Sequence, residues 1–346
     1  MKKALCLVFL LAILMSCASC KHSGGGESMY FLAGNNAFGE LTVYHCDGKS
    51  YSEIWSKADG RPYIRLIAGE VCYYVPRDCT DASLSSVDLS TGKTTVIGKV
   101  PDGQAKQIAI GESGVYLLCN TNEGFWENSG IYLISDSEPV MIAPVDPDIQ
   151  AFCCRSGGVY YYQNTFSDVW RYDENSGETH RVMENDQQRN SFLFCDGDFI
   201  GRTYVSYVSV KTHLEFYYSV DLYDTRTGQV QTFAGSPLST GSEIIPLLVH
   251  NGWLYGTFCI PKETNDSISG KGIFRRSIRT GQREICGPPV SEALVSSDRV
   301  FTFGQNGFIV FGIAAIDEIH HSPVYYYYPY GVTVPKPQML SERAGS

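Results

Sequence analysis

One β-hairpin pattern recurs six times along the chain, and this repeat limits the possible folds more than any other feature of the sequence. Each copy is an alternating apolar strand, a tight polar turn that usually contains glycine, and a second short strand. Gly48 and Gly92 mark the first two turns, 44 residues apart, and Asp136 occupies the glycine position another 44 residues on. The turns of the later copies contain Gly177, Gly228 and Gly281. A period of this length indicates an array of repeated units.

A second module precedes every hairpin except the first: an apolar strand, a polar turn and an aromatic strand, as in residues 64–74 and 153–162. The two modules together make four antiparallel strands, which is one blade of a β-propeller. A single blade has two apolar faces, so blades must pack face to face until a ring closes. Six hairpins and a degenerate last unit over residues 292–334 predict an all-β propeller of seven four-stranded blades, with six or eight as open alternatives. Because the first unit lacks its innermost strand, we expect the two chain ends to share a blade.

Some of these repeats resemble those of a known family. The shared elements are an aromatic strand after glycine, at Gly114 and Gly158, and a Tyr-Asp-x-x-Ser/Thr-Gly hairpin at Tyr172 and Tyr223. In these elements the chain is similar to bacterial propeller lipoproteins related to the YWTD propeller of low-density lipoprotein receptors and to TolB-type propellers. The similarity extends over nearly all of residues 29–334. It implies the fold and no particular activity.

The N-terminus has the pattern of a secretory signal peptide, in which basic Lys2 and Lys3 precede an apolar run that is too short to span a bilayer. The following Ser16-Cys17-Ala18-Ser19-Cys20 resembles the lipobox of bacterial lipoproteins, with Cys17 as the favoured acylated residue and Cys20 as the alternative. The predicted division of the chain is a signal peptide at 1–16, the lipidated cysteine and a flexible linker at 17–27, the propeller at 28–336 and a disordered tail at 337–346.

These features predict an extracytoplasmic protein at the bacterial cell surface, anchored to the membrane by its lipidated cysteine, and we expect a monomer. The net charge of −10 argues against nucleic acid as a partner. Nine cysteines lie in the predicted propeller, after Cys17 and Cys20, and most of them lie within predicted strands. We therefore predict buried thiols rather than disulfides, and an anaerobic or weakly oxidising setting.

The turns between the second and third strands of each blade would lie on one face, beside the central channel. They carry asparagines and aromatic residues, which suit a glycan or an extended peptide because rings stack on apolar surfaces and carboxamides both donate and accept. The candidate ligand-binding residues are Asn36, Phe38, Asn122, Phe125, Trp126, Asn164 and Phe166. We also assign residues 305–308 to these turns. The alternative is that the polar residues satisfy the turn backbone and the aromatics cap the blade core.

No catalytic set, metal site or cofactor site is predicted. The sequence has no Gly-x-Ser-x-Gly elbow. We interpret residues 317–321, with two histidines and two acids, as a solvated loop rather than a metal site. Residues 86–93 resemble the docking repeat of quinone-dependent dehydrogenases but lack its tryptophan. The sequence thus favours a non-catalytic binding or scaffold protein over an enzyme. An extracellular polysaccharide hydrolase or lyase that uses channel carboxylates such as Asp146 and Asp148 is the alternative.

Overall fold

The computed structural model describes residues 28–32, 40–61, 63–76, 82–101, 104–120, 129–146, 151–164, 166–185, 189–210, 213–237, 245–262, 265–286, 301–315, 321–330 and 338–342. The regular structure in these segments is entirely β-strand, in seven four-stranded sheets arranged as a ring. The predicted all-β propeller of seven blades is therefore confirmed. Within the described segments, no helix has the length and apolar composition needed to cross a membrane.

Blades are numbered in chain order. Blade 1 contains β1 (Met29–Leu32), β2 (Glu40–Cys46), β3 (Ser50–Ala58) and the last strand of the chain, β28 (Ser341–Glu342). The strands of blades 2, 3 and 4 are β4 (Tyr63–Ala68), β5 (Val71–Pro76), β6 (Ser83–Asp88) and β7 (Thr94–Lys99); β8 (Gln104–Ile110), β9 (Val115–Asn120), β10 (Gly130–Ile134) and β11 (Val140–Pro144); β12 (Phe152–Arg155), β13 (Gly158–Tyr162), β14 (Val169–Asp173) and β15 (Thr179–Met183).

Those of blades 5, 6 and 7 are β16 (Arg189–Asp196), β17 (Phe199–Val210), β18 (His213–Asp224) and β19 (Val230–Pro237); β20 (Ile245–His250), β21 (Trp253–Lys262), β22 (Asn265–Ser277) and β23 (Arg283–Ile285); β24 (Phe301–Phe303), β25 (Gly307–Ala315), β26 (His321–Pro329) and β27 (Gln338–Met339).

The first strands of blades 2 to 6 contact one another in succession, which places them innermost. Because strands within a blade alternate in direction, turns between strands one and two and between strands three and four share one face, the lower face. The connections between strands two and three lie on the opposite, upper face.

The repeated lower-face turn forms because one aspartate supplies most of its hydrogen bonds. In Asp88, Asp173 and Asp224, Oδ1 accepts from the backbone N–H groups two and three residues later, at 2.9–3.3 Å. The aspartate carbonyl accepts from the glycine N–H four residues later, at 2.7–2.9 Å. These glycines have φ of 70–72°, a left-handed conformation that L side chains disfavour. Asp136 was predicted at the equivalent position, but its φ is not left-handed, so blade 3 turns differently.

Each of the seven seams between neighbouring blades has an apolar core, as packing of two-faced sheets requires. At each seam, buried side chains of both blades belong to one core cluster. Representative members, from the seam of blades 1 and 2 onward, are Leu41 and Tyr74, Leu84 and Leu117, Tyr116 and Phe152, Tyr160 and Ile200, Val220 and Leu254, Tyr255 and Phe308, and Phe31 and Tyr325. The continuous series of seams shows that the ring is closed.

The two ends of the chain come together at blade 1, where the ring closes. Its turn at Gly48 matches the turns between strands three and four elsewhere, so β1 corresponds to a second strand. Among the described residues no strand pairs with β1 on its inner side, as the sequence predicts. The end of the chain returns to the outer side, where β28 runs parallel to β3. Residues 338–342 were predicted to belong to a disordered tail, but β27 pairs with blade 7 and β28 pairs with blade 1, so these residues join the two blades.

Candidate functional site

The upper face is uneven in height. The hairpins between strands two and three have strands of 12 and 12 residues in blade 5, 10 and 13 in blade 6, and 9 and 9 in blade 7. The corresponding strands of blades 2 to 4 have 5 or 6 residues. At ~3.3 Å per residue, the long hairpins reach roughly 10–20 Å further on the upper side. Three consecutive blades therefore border one side of this face, next to blade 4.

The upper-face turn of blade 4 is a self-supported loop. The Asn164 side-chain Oδ1 accepts from the Phe166 N–H at 2.9 Å, and the Asn164 carbonyl accepts from the Ser167 N–H at 3.0 Å. The Ser167 hydroxyl oxygen accepts from the Gln163 N–H at 2.8 Å. Asn164 thus forms an Asx turn, in which a side chain replaces a backbone acceptor. The backbone at Phe166 is held in place by Asn164.

Connections from both sides of blade 4 hold this loop. The Asp146 N–H, in the segment that enters the blade, donates to the Gln163 carbonyl at 2.8 Å. In the segment that leaves the blade, the Asn185 N–H donates to Asp168 Oδ1 at 2.7 Å, and the Asn185 amide donates to the Ser167 carbonyl at 3.1 Å. The loop is therefore preorganised, which lowers the entropy cost of binding a ligand on it.

Phe166 is 57% exposed at the tip of this loop. The other large apolar side chains that are exposed in the described segments are aliphatic and lie near the rim. Ile54 is on β3, and Val96, Val140, Val230 and Ile285 are on the outermost strands of their blades. Among the large apolar side chains that are exposed in the described segments, Phe166 is the aromatic one. The exposed carboxamides of Gln163 and Asn164 lie beside it in the sequence. A phenyl ring with adjacent amides can stack on an apolar surface and bond to hydroxyls or to a peptide backbone.

The structure brings together only part of the predicted site. Asn164 and Phe166 share the loop just described, whereas Asn36, Phe38, Asn122, Phe125 and Trp126 lie outside the described residues. The assignment of residues 305–308 to the upper face was wrong. Residues 304–306 form the turn between β24 and β25, on the lower face. Gly307 and Phe308 begin β25, and Phe308 is 2% exposed in the core. Asp148 and residues 317–320 also lie outside the described segments, and the described residues contain no cluster of three metal-ligating side chains.

A row of polar side chains in blade 5 was not predicted from the sequence. Arg202, Asp221 and Thr232 lie opposite one another on strands two, three and four. Asp221 accepts from the Arg202 guanidinium and, at 2.8 Å, from the Thr232 hydroxyl. Arg202 and Asp221 are only 4% and 6% exposed, so the pair belongs to the packing of the blade and offers no surface to a ligand. An arginine and an aspartate at inward positions of neighbouring strands are the sequence signal for such a pair.

All carboxyl groups of the described residues that have a clear pKa shift have a pKa below the ordinary value. Hydrogen bonds from their turns lower the pKa of Asp88 and Asp173, and the Tyr63 hydroxyl lowers that of Asp59. Burial opposes ionisation of Asp196 and Asp224, but hydrogen bonds outweigh it, so both pKa values are lowered. A carboxylic acid that protonates a glycosidic oxygen needs a raised pKa. None of these five groups has that property.

Comparison with known proteins supports the propeller fold and assigns no function. The sequence matches no protein-family model and none of the curated proteins compared with it. Solved structures similar to it include an uncharacterised protein from Listeria monocytogenes, at 9% identity and a TM-score of 0.51, with 82% of this chain and 88% of that one covered. An acylaminoacyl peptidase from Pyrococcus horikoshii aligns at 12% identity and a TM-score of 0.55. That alignment covers 91% of this chain and 50% of the peptidase, so this chain spans about half of that enzyme.

Proposed function

We propose that this protein is a lipid-anchored, extracytoplasmic binding protein that holds a glycan or an extended peptide against the upper face of its propeller. The observation that carries the proposal is the exposed Phe166 ring on a loop fixed by both neighbouring connections. An exposed phenyl group contributes nothing to the core, while a rigid one loses little entropy when a ligand covers it. The tall hairpins of blades 5 to 7 add a border against which a long ligand can lie.

The position of the N-terminus is compatible with such a tether. Met29 pairs with Cys46, beside the turn at Gly48, so the chain enters the propeller on the lower face. The predicted acylated Cys17, or Cys20, precedes this point by a glycine-rich linker. A membrane anchor would thus join the face opposite Phe166 and leave the upper face directed outward. The acylation is tested by detergent phase partition of the protein from cells, with Cys17→Ala and Cys20→Ala compared. Partition of both variants into the detergent phase would contradict the anchor.

The binding proposal is tested with the full chain on glycan and peptide arrays. Burial of a phenylalanine contributes about 1.5–3 kcal/mol, and scaled to the exposed 57% of Phe166 this is about 1–2 kcal/mol. Phe166→Ala should therefore weaken binding by about 5- to 30-fold without a change in melting temperature. Val96→Ala removes an exposed apolar side chain at the rim, 65% exposed, and serves as the matched control. Equal binding by the two variants would contradict the assignment of the site.

The hydrolase or lyase alternative receives less support from the described residues. Their shifted carboxyl groups have lowered pKa values, which suit turn caps and ion pairs better than general acids. Release of reducing sugar or unsaturated product from a polysaccharide by the purified protein, lost on mutation of an upper-face carboxylate, would establish the alternative instead.

A further inference from the structure

The innermost strands of blades 4 and 5 lie side by side, and each carries a cysteine at their seam. Cys153 is on β12 and Cys195 is on β16, and these strands contact each other. The Cys195 side chain packs against the core cluster that contains Cys153, and Cys153 is the group with the largest effect on the pKa of Cys195. The Cys195 thiol donates to the Cys154 carbonyl oxygen, with Sγ and O separated by 3.2 Å. The seam therefore brings cysteines of both blades into one core cluster, and the seven cysteines whose side chains the structure describes are all free thiols.

Cys195 differs from the other thiols in exposure and acidity. It is half-buried, whereas the other six cysteines whose side chains are described are buried. Burial raises the pKa of Cys72, Cys119 and Cys286 to about 12, so these thiols stay protonated. For Cys195, the neighbouring Cys153 side chain and the charge of Arg155 outweigh burial and lower the pKa. Arg155 is fixed nearby, since its Nε donates to the Gly197 carbonyl at 2.6 Å.

We propose that Cys153 and Cys195 form a redox-active dithiol that reacts with disulfides and closes to a disulfide between blades 4 and 5. Cys195 is the attacking residue because it is the more accessible of the two. Cys153 is the resolving residue because β12 contacts β16 and the Cys153 side chain points to the side of β12 opposite Cys154, toward blade 5. In the weakly oxidising setting predicted from the sequence the pair is reduced, and a disulfide oxidant converts it.

The reaction balances with oxidised glutathione as the oxidant. The Cys195 thiolate attacks one glutathione sulfur, the S–S bond of glutathione breaks, and one glutathione leaves as a thiolate that takes up a proton. Cys153 then loses its proton and attacks the Cys195 sulfur of the mixed disulfide, which releases the second glutathione. The two protein thiols are oxidised by two electrons in total, and one glutathione disulfide is reduced to two thiols.

Cys154 provides a matched control on the same strand. Neighbouring residues of a strand point to opposite sides. The Cys154 thiol acts electrostatically on Tyr116 of blade 3, and Cys195 and Glu174 act on Cys154 in turn. Its contact with Cys195 is through the carbonyl oxygen, which a side-chain substitution leaves in place. Cys154→Ser should therefore react as the unmodified protein does.

The experiment treats the reduced full chain with oxidised glutathione, quenches by acid, alkylates under denaturing conditions and maps disulfides by peptide mass spectrometry. The expected product is a Cys153–Cys195 linkage, with a protein mass lower by two hydrogens. Cys153→Ala should stop at the mixed disulfide on Cys195, and Cys195→Ser should give neither product. Arg155→Gln should slow the first step several-fold, while far-UV circular dichroism and melting curves establish that each variant is folded.

Three results would overturn the proposal. The first is full alkylation of both thiols after treatment, the second is a linkage that uses Cys154 in place of Cys153, and the third is a mixed disulfide on Cys195 of the unmodified protein that never resolves. A folded Cys153→Ala protein that is not glutathionylated at Cys195 would likewise refute the order of the two steps.

Discussion

The closure of the ring depends on Leu340, which lies between the two short strands that join blade 7 to blade 1. Leu340 is 5% exposed, packs in one core with Met29, Phe31 and Tyr325, and its N–H donates to the Tyr325 carbonyl at 2.9 Å. Truncation of a buried leucine to alanine costs about 2–5 kcal/mol, since apolar contact is lost and a cavity remains. We take about 3 kcal/mol because the flanking strands are short and can relax. With an unfolding entropy of about 0.6 kcal/mol/K for ~300 residues, Leu340→Ala should lower the melting temperature by about 5 °C.

Differential scanning calorimetry measures this shift. Val96→Ala is the control, because Val96 is 65% exposed on outermost strand β7 and its truncation should cost less than about 0.5 kcal/mol. Limited proteolysis at a temperature below the melting point adds a spatial readout, and peptides from blade 1 should be released earlier from Leu340→Ala than from Val96→Ala. The reasoning is refuted when the two variants melt within about 1 °C of each other and are cleaved at the same rate.

Two further predictions concern the lower face. Glu174 accepts from the Ser113 N–H at 2.9 Å and from the Tyr116 hydroxyl at 2.8 Å, across the seam of blades 3 and 4. Glu174→Ala should therefore lower the free energy of unfolding by about 1–3 kcal/mol, measured by thermal unfolding. Glu178 is exposed, so Glu178→Ala is the control and should leave the stability almost unchanged. Because the pKa of Asp88 and Asp173 is lowered in the fold, their stabilisation is present above the unfolded value of about 4 and is lost as the pH falls through the folded values. Melting temperatures measured from about pH 6 to about pH 3 should fall in that direction, and a flat profile would contradict it.

The blades could be predicted from the sequence because the turn chemistry is local. Asp173 and Gly177 are four residues apart, and both their hydrogen bonds and the left-handed φ of the glycine lie within the same turn. Asp136 failed as a substitute because it does not adopt that conformation. Residues 305–308 were placed on the wrong face although Gly307-Phe308 has the glycine-aromatic signature that begins the second strand in other blades. The sequence of Gly307-Phe308 thus already indicates a turn between the first and second strands, on the lower face.

The features that depend on pairing between distant residues could not be predicted in the same way. Two-residue strand β28 forms because β3 has an available outer edge, and the positions it joins, Ser341 and Ser50, are far apart in the chain. The heights of the hairpins follow from register. The pairing of Phe199 with Asp224 at one end and of Val210 with His213 at the other fixes the length of the longest one. The alternation of polar and apolar residues over 199–224 indicates long strands, but aligning the repeats by their turns does not reveal strand length.

The Asn164 turn shows why composition alone did not separate a backbone role from a binding role. Asn164 Oδ1 is used by the Phe166 N–H, so this carboxamide positions the ring and satisfies the turn. Asn164→Asp keeps the acceptor and should preserve ligand binding. Asn164→Ala releases the loop and should weaken binding by about 2- to 10-fold, the equivalent of ordering one side chain on binding, about 0.5–1.5 kcal/mol. Titration of a ligand identified on the arrays measures both variants against Phe166→Ala. An aspartate variant as weak as the alanine variant would mean that the Asn164 amide nitrogen, rather than the turn it forms, contacts the ligand.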